Sequence, residues 1–464
     1  MTDRFDIVLR GVRLNHGAGV DFGIRDGRFS AMSSGLGRCD NDIDCDGKLL
    51  LPGLHDHHIH LFATAARLQS VDLTQCTHPD AIAAALRAKA AQAGPGEWVR
   101  AIGCDERASG IPDRGQIDGW IADRPVRIQD RTGALWMLNS AGLAQLGDGP
   151  WPDAVETDPS GVPTGRIWRG DAWLQERIGS RPPSLAALSR ELARLGVTAV
   201  TDAGANNGPK EAALLGAACR QGDLLQRLTM MGREDLPDSE PYLTGPVKLL
   251  YDERDLPDPA SIAARIEAAR RLGRNVAAHC VTEAELLVYL AVLDMAGGVR
   301  PGDRIEHGSM IPQALMQDIA RLGLIVVANP GFIARRGDRY LAEMDAGDLP
   351  DLQRMASLQA SGIPVLIGSD APYGPVNPWV SIRAAANRQC PSGALLGAEE
   401  AIGPWSALQL MTAQGDLAVG AVADCILVDA DWVNQLARDA DPDPVAMTIM
   451  GRYAHLGPIY SRGR

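Results

Sequence analysis

The segment His55-Asp56-His57-His58-Ile59-His60 repeats a two-residue spacing of imidazoles, once as His55/His57 and once as His58/His60. On an extended strand successive side chains alternate faces, so either pair turns two ring nitrogens to one side and can hold a divalent ion. Parity alone leaves both pairs open. Only nine histidines occur in the chain, and two more end apolar runs, His279 in NVAAHC and His307 in DRIEHGS. Lys248 lies in GPVKLLYD and Asp370 closes PVLIGSD. Imidazoles joined by a carboxylate suit zinc, with manganese and iron as further ions that such donors take. Each histidine taken singly fits a hydrogen-bonded structural role at least as well; the joint placement is what argues for ligation.

Apolar strands alternate with amphipathic helices through most of the chain, the pattern of parallel βα units around a buried sheet. The expected strands are LLLPGLHDHHIHL, PVRIQD, VTAVTDAG, PVKLLYD, NVAAHC, DRIEHGS, LIVVANP and PVLIGSD. Eight parallel strands close a (β/α)8 TIM-like barrel, whose chemistry sits at the C-terminal ends of its strands. The four histidines, the lysine and the aspartate then meet on one rim. Helical stretches such as SLAALSRELARLG and PQALMQDIARLG carry apolar residues at three-to-four spacing and stop at glycine. Short alternating segments at both ends, FDIVLRGVRL and VDFGIRDGRFSAM at the start and VADCILVDADWV and AMTIMGRYAHLGPIY at the finish, suggest one small β-sandwich built from both termini. The expected division is 1–50 and 415–464 for the sandwich and 51–414 for the barrel, with an insertion over 62–125.

The 464 residues carry a net charge of −13, and no cluster of basic residues marks a nucleic-acid face. No apolar run is long enough for a membrane span, and MTDRFDIVLRG lacks the apolar centre of a signal peptide, so a cytoplasmic protein is expected. Eight cysteines are scattered without a Cys-x-x-Cys pair, which points to reduced thiols. Cys280 adjoins His279 but alternates to the other face of its strand. No Gly-x-Ser-x-Gly elbow occurs, so a serine or cysteine nucleophile is disfavoured.

PGLHDHHIHL is similar to the Pro-Gly-x-x-Asp-x-His-x-His opening of the amidohydrolase superfamily, and VAAHC, RIEHGS and IGSDAP resemble its fifth, sixth and eighth strands. GEWVRAIGCDE, LNSAGL, GVPTGR and LGVTAVTDAG extend the resemblance to the branch that includes N-substituted formamide deformylase. The resemblance spans essentially the whole chain. It implies that His58 and His60 are the inward pair, that His55 and His57 pack behind them, and that a sandwich accompanies the barrel. It also matches Lys248 to the branch's Val-Lys motif, although LLYDER stands here in place of the usual Phe-Ala-Asp-Gly.

Lysine is scarce in this chain: of 45 basic side chains, four are lysines, at positions 48, 89, 210 and 248. A buried ammonium beside a metal is repelled unless it loses its charge. A neutral lysine can add carbon dioxide to give a carbamate that bridges two cations, which arginine cannot do; a structural salt bridge is the plainer alternative. The expected enzyme is therefore a metal-dependent hydrolase of a non-peptide, amide-type C–N bond. His58, His60 and Asp370 hold one ion, His279 and His307 a second, carboxylated Lys248 bridges them, and Asp370 shuttles the proton.

Arg131, Trp136, Asn329, Tyr373 and Trp379 are candidate wall residues for a small-molecule substrate, with packing as the commoner use of tryptophan. Glu283 is a candidate neighbour of the ligands. Homo-oligomers are common among such barrels, but no segment marks an interface. One rival reading is a single-metal deaminase of an aminated ring, whose relatives carry His-x-x-Glu where this chain has the longer His279-Cys-Val-Thr-Glu283. The other is a metal-free scaffold, which would be expected to have lost ligands that are all present.

Overall fold

Runs of Val, Ile, Leu and Ala without polar alternation form strands buried on both faces, and most of the expected segments do so. The computed structural model describes residues 5–456 except 15, 16, 18, 38, 40, 95, 180, 181, 255, 413–416 and 452. The expected boundary at 415 and the end of the last terminal strand lie outside the described residues.

Eight parallel strands, each paired with the next in chain order, make the central sheet: β1 (Leu54–Ile59), β2 (Val197–Asp202), β3 (Arg227–Gly232), β4 (Leu243–Leu249), β5 (Val276–Cys280), β6 (Arg304–His307), β7 (Ile325–Ala328) and β8 (Val365–Ile367). Beyond β8 the chain meets β1, where Asp370 N–H donates to the His58 carbonyl at 2.7 Å and His60 N–H to the Ala371 carbonyl at 2.9 Å. This seam closes the TIM-like barrel. Glycines at the end of helices Pro209–Gln221 and Met316–Leu322, Gly222 and Gly323, take φ +77° and +72° and turn the chain back into the sheet.

One expected strand belongs elsewhere. PVRIQD does form a strand, Val126–Asp130, but it lies in a six-stranded sheet with Val71–Asp72, Val99–Cys104, Leu135–Leu138, Val155–Thr157 and Pro163–Trp168. That sheet belongs to a second compact unit, Phe62–Ser184, so the insertion runs well past residue 125. Its strand follows helix Arg114–Trp120 and ends in a carboxylate, as barrel strands at a working rim do, which is why local pattern misassigns it. Val197–Asp202 takes the second place, and the count of eight is completed by the third strand, Arg227–Gly232, RLTMMG, whose exposed arginine and two methionines leave Thr229 as its one β-branched residue.

The chain ends supply two four-stranded sheets. One holds Ile7–Val12, Val20–Arg25, Arg28–Ser33 and Asp42–Asp44; the other holds Leu49–Pro52, Asp424–Val428, Val445–Met450 and Tyr453–Leu456. Their inner faces share a core of Leu9, Phe22, Phe29, Leu50, Leu427 and Ile449, with the two phenylalanine rings edge to face at 5.2 Å. Among the described residues no helix is long and apolar enough to cross a membrane.

Candidate metal centre

Strand alternation aims His58 and His60 into a cavity of about 390 Å³ at the C-terminal rim of the barrel, with Lys248, His279, His307 and Asp370 lining it as well. His55 and His57 lie on the other parity: their rings stack at 3.9 Å, and His55 Nε2 is 2.9 Å from the Thr201 hydroxyl. The Asp56 carboxylate between them ties the seam, accepting from Ser369 N–H at 2.8 Å and His58 N–H at 3.2 Å. Burial pushes its carboxyl up to about 6. Gly368 is required at this contact, because a Cβ there would stand 2.5 Å from His58 Cβ.

Ligand atoms of His58, His60 and Asp370 all lie within 4.8 Å of one another. Asp370 Oδ1 is 3.2 Å from His60 Nε2 and 3.5 Å from His58 Nε2. His307 packs beside this group, its ring 4.7 Å from His58 and 4.6 Å from His279. His279 and His307 share the cavity without joining the tight trio.

The supporting contacts fix which nitrogen faces the cavity. His58 Nδ1 bonds the Glu306 carboxylate, itself fully buried and held by Arg304 Nε at 2.7 Å. Although burial opposes ionisation, Arg304, Lys248 and His58 keep Glu306 well below the usual carboxylate range. His307 Nδ1–H donates to Asn329 Oδ1 at 2.8 Å, and Asn329 is oriented in turn by donating to the Gly368 carbonyl at 2.9 Å. Each ring therefore turns Nε2 outward, the arrangement that metal-ligating histidines use.

Burial lowers the pKa of His58 to about 3, that of His307 well below the ordinary value, and that of His279 as well. All three are neutral near pH 7, the form that coordinates. Burial also lowers the Lys248 ammonium. Among the described residues Lys248 Nζ and Asp370 Oδ1 are buried without a hydrogen-bond partner, which is costly unless another group engages them. Neutral imidazoles, a carboxylate oxygen and an unpartnered lysine are a donor set that fits a divalent ion. His307 and Asp370 adopt φ +70° and +52°. Such backbone strain, about 1–3 kcal/mol each for residues other than glycine, clusters at working sites.

Of the candidate wall residues, Tyr373 lines the cavity and is 55% exposed, its ring 5.8 Å from His60. The others have different places. Asn329 stands behind His307 as its orienting partner. Trp379 is fully buried, donating its indole N–H to the Leu195 carbonyl at 3.0 Å and packing on Trp432. Trp136 is core in the 62–184 unit, and Arg131 there pairs with Glu106 at 2.9 Å. Glu283 is an exposed first residue of helix Glu283–Met295; the buried carboxylate nearby is Glu285, which caps that helix through Val281 and Thr282 N–H groups. Cys280 is fully buried and its thiol is pushed up by that burial, so it is inert. Sequence reasoning missed Glu306, visible only as the residue before His307, and the wall formed by Leu250, Val281, Phe332, Arg336 and Tyr340. Arg336 stacks on Phe332 at 4.6 Å. Helical spacing from Phe332 to Arg336 and Tyr340 is the signal that could have found them.

A parallel eight-stranded barrel with a His-His-Asp donor group at its C-terminal rim defines a metal-dependent barrel hydrolase. The chain belongs to the amidohydrolase family, whose family model matches residues 42–451. It is 27% identical to N-substituted formamide deformylase of Arthrobacter pascens, covering 84% of this chain and 85% of that one. It is 21% identical to Protein LONG AFTER FAR-RED 3 of Arabidopsis thaliana, covering 92% and 85%. The fold is shared with an uncharacterized metal-dependent hydrolase from Pyrococcus horikoshii, with a TM-score of 0.70, 21% identity and coverage of 86% and 90%.

Proposed function

We propose that this chain hydrolyses a linear, non-peptide C–N bond of the amide class. In this reading His58, His60 and Asp370 would hold one divalent ion, His279 and His307 would hold a second, and Lys248, as a carbamate, would supply an anionic ligand to both. The convergence of His58, His60 and the buried Asp370 carboxylate, beside His279, the buried His307 and the unpartnered Lys248 Nζ, supports it most directly. Zinc is the ion we assign to so imidazole-rich a set. A bound ion supplies Lewis acidity, acidifying a water and polarising the substrate carbonyl.

The protein's own groups do the remainder. Glu306 and Asn329 hold the His58 and His307 rings in one tautomer, so no reorientation accompanies turnover. Asp370 Oδ1 accepts the proton of the attacking water and delivers it to the leaving nitrogen, a transfer worth on the order of 10²–10⁴ in rate. Lys248, whose charge burial disfavours, adds carbon dioxide through Nζ with loss of one proton. Leu250, Val281, Phe332 and Tyr373 offer apolar wall to a small-molecule substrate. We place the protein in the cytoplasm, its eight cysteines all being free thiols.

The test is to load the protein with zinc and offer formamides, N-acyl amino acids, ureas and aminated heterocycles, assaying amine and ammonia separately. Amine from linear amides is expected; ammonia from heterocycles alone would replace this reading with the deaminase. Elemental analysis tests the bridge. Two ions per chain should fall to one or none in Lys248→Ala, and an unchanged content would remove Lys248 from the site.

A further inference from the structure

The unit formed by Phe62–Ser184 contains its own cavity of about 340 Å³, lined by Ser70, Lys89, Glu97, Trp98, Arg100 and Arg127 among others. Arg100 and Arg127 are register partners on the neighbouring parallel strands Val99–Cys104 and Val126–Asp130. Their flanking residues Val99, Ala101, Val126 and Ile128 point into the apolar core on one face of the sheet, so alternation brings both arginines out on the other. Like charges at neighbouring positions across a sheet repel.

Arg100 is steadied by donating to the Ser70 hydroxyl at 2.7 Å. Arg127 is not. Its guanidinium lies over the Trp98 and Trp136 rings, at 5.7 and 5.4 Å from their centroids, sharing the Trp136 ring with Arg100 at 5.4 Å, and its Nε is buried without a hydrogen-bond partner. Among the described residues Arg127 forms no ion pair, and burial lowers its pKa with no neighbouring acid to offset the effect. Glu97 is the acid on this wall, exposed and accepting from Gly94 N–H at 2.9 Å. In a protein of net charge −13, a half-buried cluster of Lys89, Arg100 and Arg127 against one exposed acid is a local excess of positive charge. Ring faces alone satisfy the charge of a guanidinium but none of its N–H donors.

We propose that this cavity is a binding site for a small oxyanion, a carboxylate or phosphate group engaged by Arg127 and Arg100 with Lys89 completing the charge. A planar guanidinium lining the cavity beside two tryptophans carries N–H donors that a carboxylate or phosphate can accept from, and its charge cannot be lost as a lysine's can.

Calorimetric titration of the full chain in low-chloride buffer tests it, with inorganic phosphate in one arm and citrate in the other. At least one probe should saturate a single site per chain, and the arm that binds identifies the source of the anion. Arg127→Met should weaken that binding by about tenfold or more, as loss of charge-assisted hydrogen bonds predicts. Lys89→Met should weaken it by a smaller factor. If Arg127→Met does not fold, Lys89→Met decides. Absence of saturable binding by either probe would overturn the proposal, as would binding that both variants leave unchanged. The latter outcome includes citrate acting on metal at the barrel mouth.

Discussion

Asp370 carries two burdens that one substitution separates. Its φ of +52° lies in the left-handed region, which asparagine and aspartate tolerate better than other side chains. Asp370→Asn therefore keeps the backbone it replaces while losing the anionic oxygen. Turnover should drop by about 10²-fold or more, with the unfolding temperature nearly unchanged; comparable activity would exclude the proton-transfer role. Glu306→Gln keeps an acceptor for His58 but removes the charge. Metal affinity measured by competition with a chromogenic chelator should weaken by about 10–100-fold, the usual effect of altering a ligand's supporting partner. At this scale counting by two grouped His58 with His60 and His55 with His57, and the family resemblance, not parity, chose which pair faces inward. Asn329 and Glu306 were not legible in their roles, since which side chain braces which ring depends on approach across strands distant in the chain.

The critical element is the seam between β1 and the segment that follows β8. Gly368 lies there against His58, and a methyl group at that position would meet His58 N at 2.7 Å and Cβ at 2.5 Å. Gly368→Ala should move β8 outward, costing about 1–3 kcal/mol as overpacked sites do and weakening metal binding along with it. Thermal unfolding and metal titration read the two losses; a variant as stable and as tightly metallated as the parent would show that the seam has slack. Apolar strands announced the barrel, yet Val126–Asp130 was expected in it and Arg227–Gly232 was not read as a strand at all. Both are short and strand-like, and only their hydrogen-bonded neighbours assign them to a sheet. That information is nonlocal.

At the scale of the whole molecule, His55 and His57, which lie on the parity opposite to the cavity-facing pair, are coupled to folding. Burial drives the His55 imidazole down to about 3, Arg304 and Arg227 adding repulsion, and it holds His57 well below its ordinary value. In the unfolded chain both titrate near 6.5, so between about pH 3 and 6.5 the unfolded state binds more protons. Stability is then full above about pH 6.5 and declines as the pH falls. Urea midpoints should decrease between about pH 7 and pH 5, and replacing His55 and His57 together by glutamine should flatten that slope; an unaltered slope would assign it to other groups. The terminal sandwich, by contrast, was readable from alternation at both chain ends, because a shared core needs only two matching apolar faces.

The donors closest to one another, His58, His60 and Asp370, come from opposite sides of the seam and from distant parts of the chain. A growing polypeptide exposes the two imidazoles long before the aspartate has been made, and a pair of imidazoles alone is a weak chelator. Metallation should therefore follow translation, and an ion that arrives after closure would act as a clasp joining the barrel's first strand to its last.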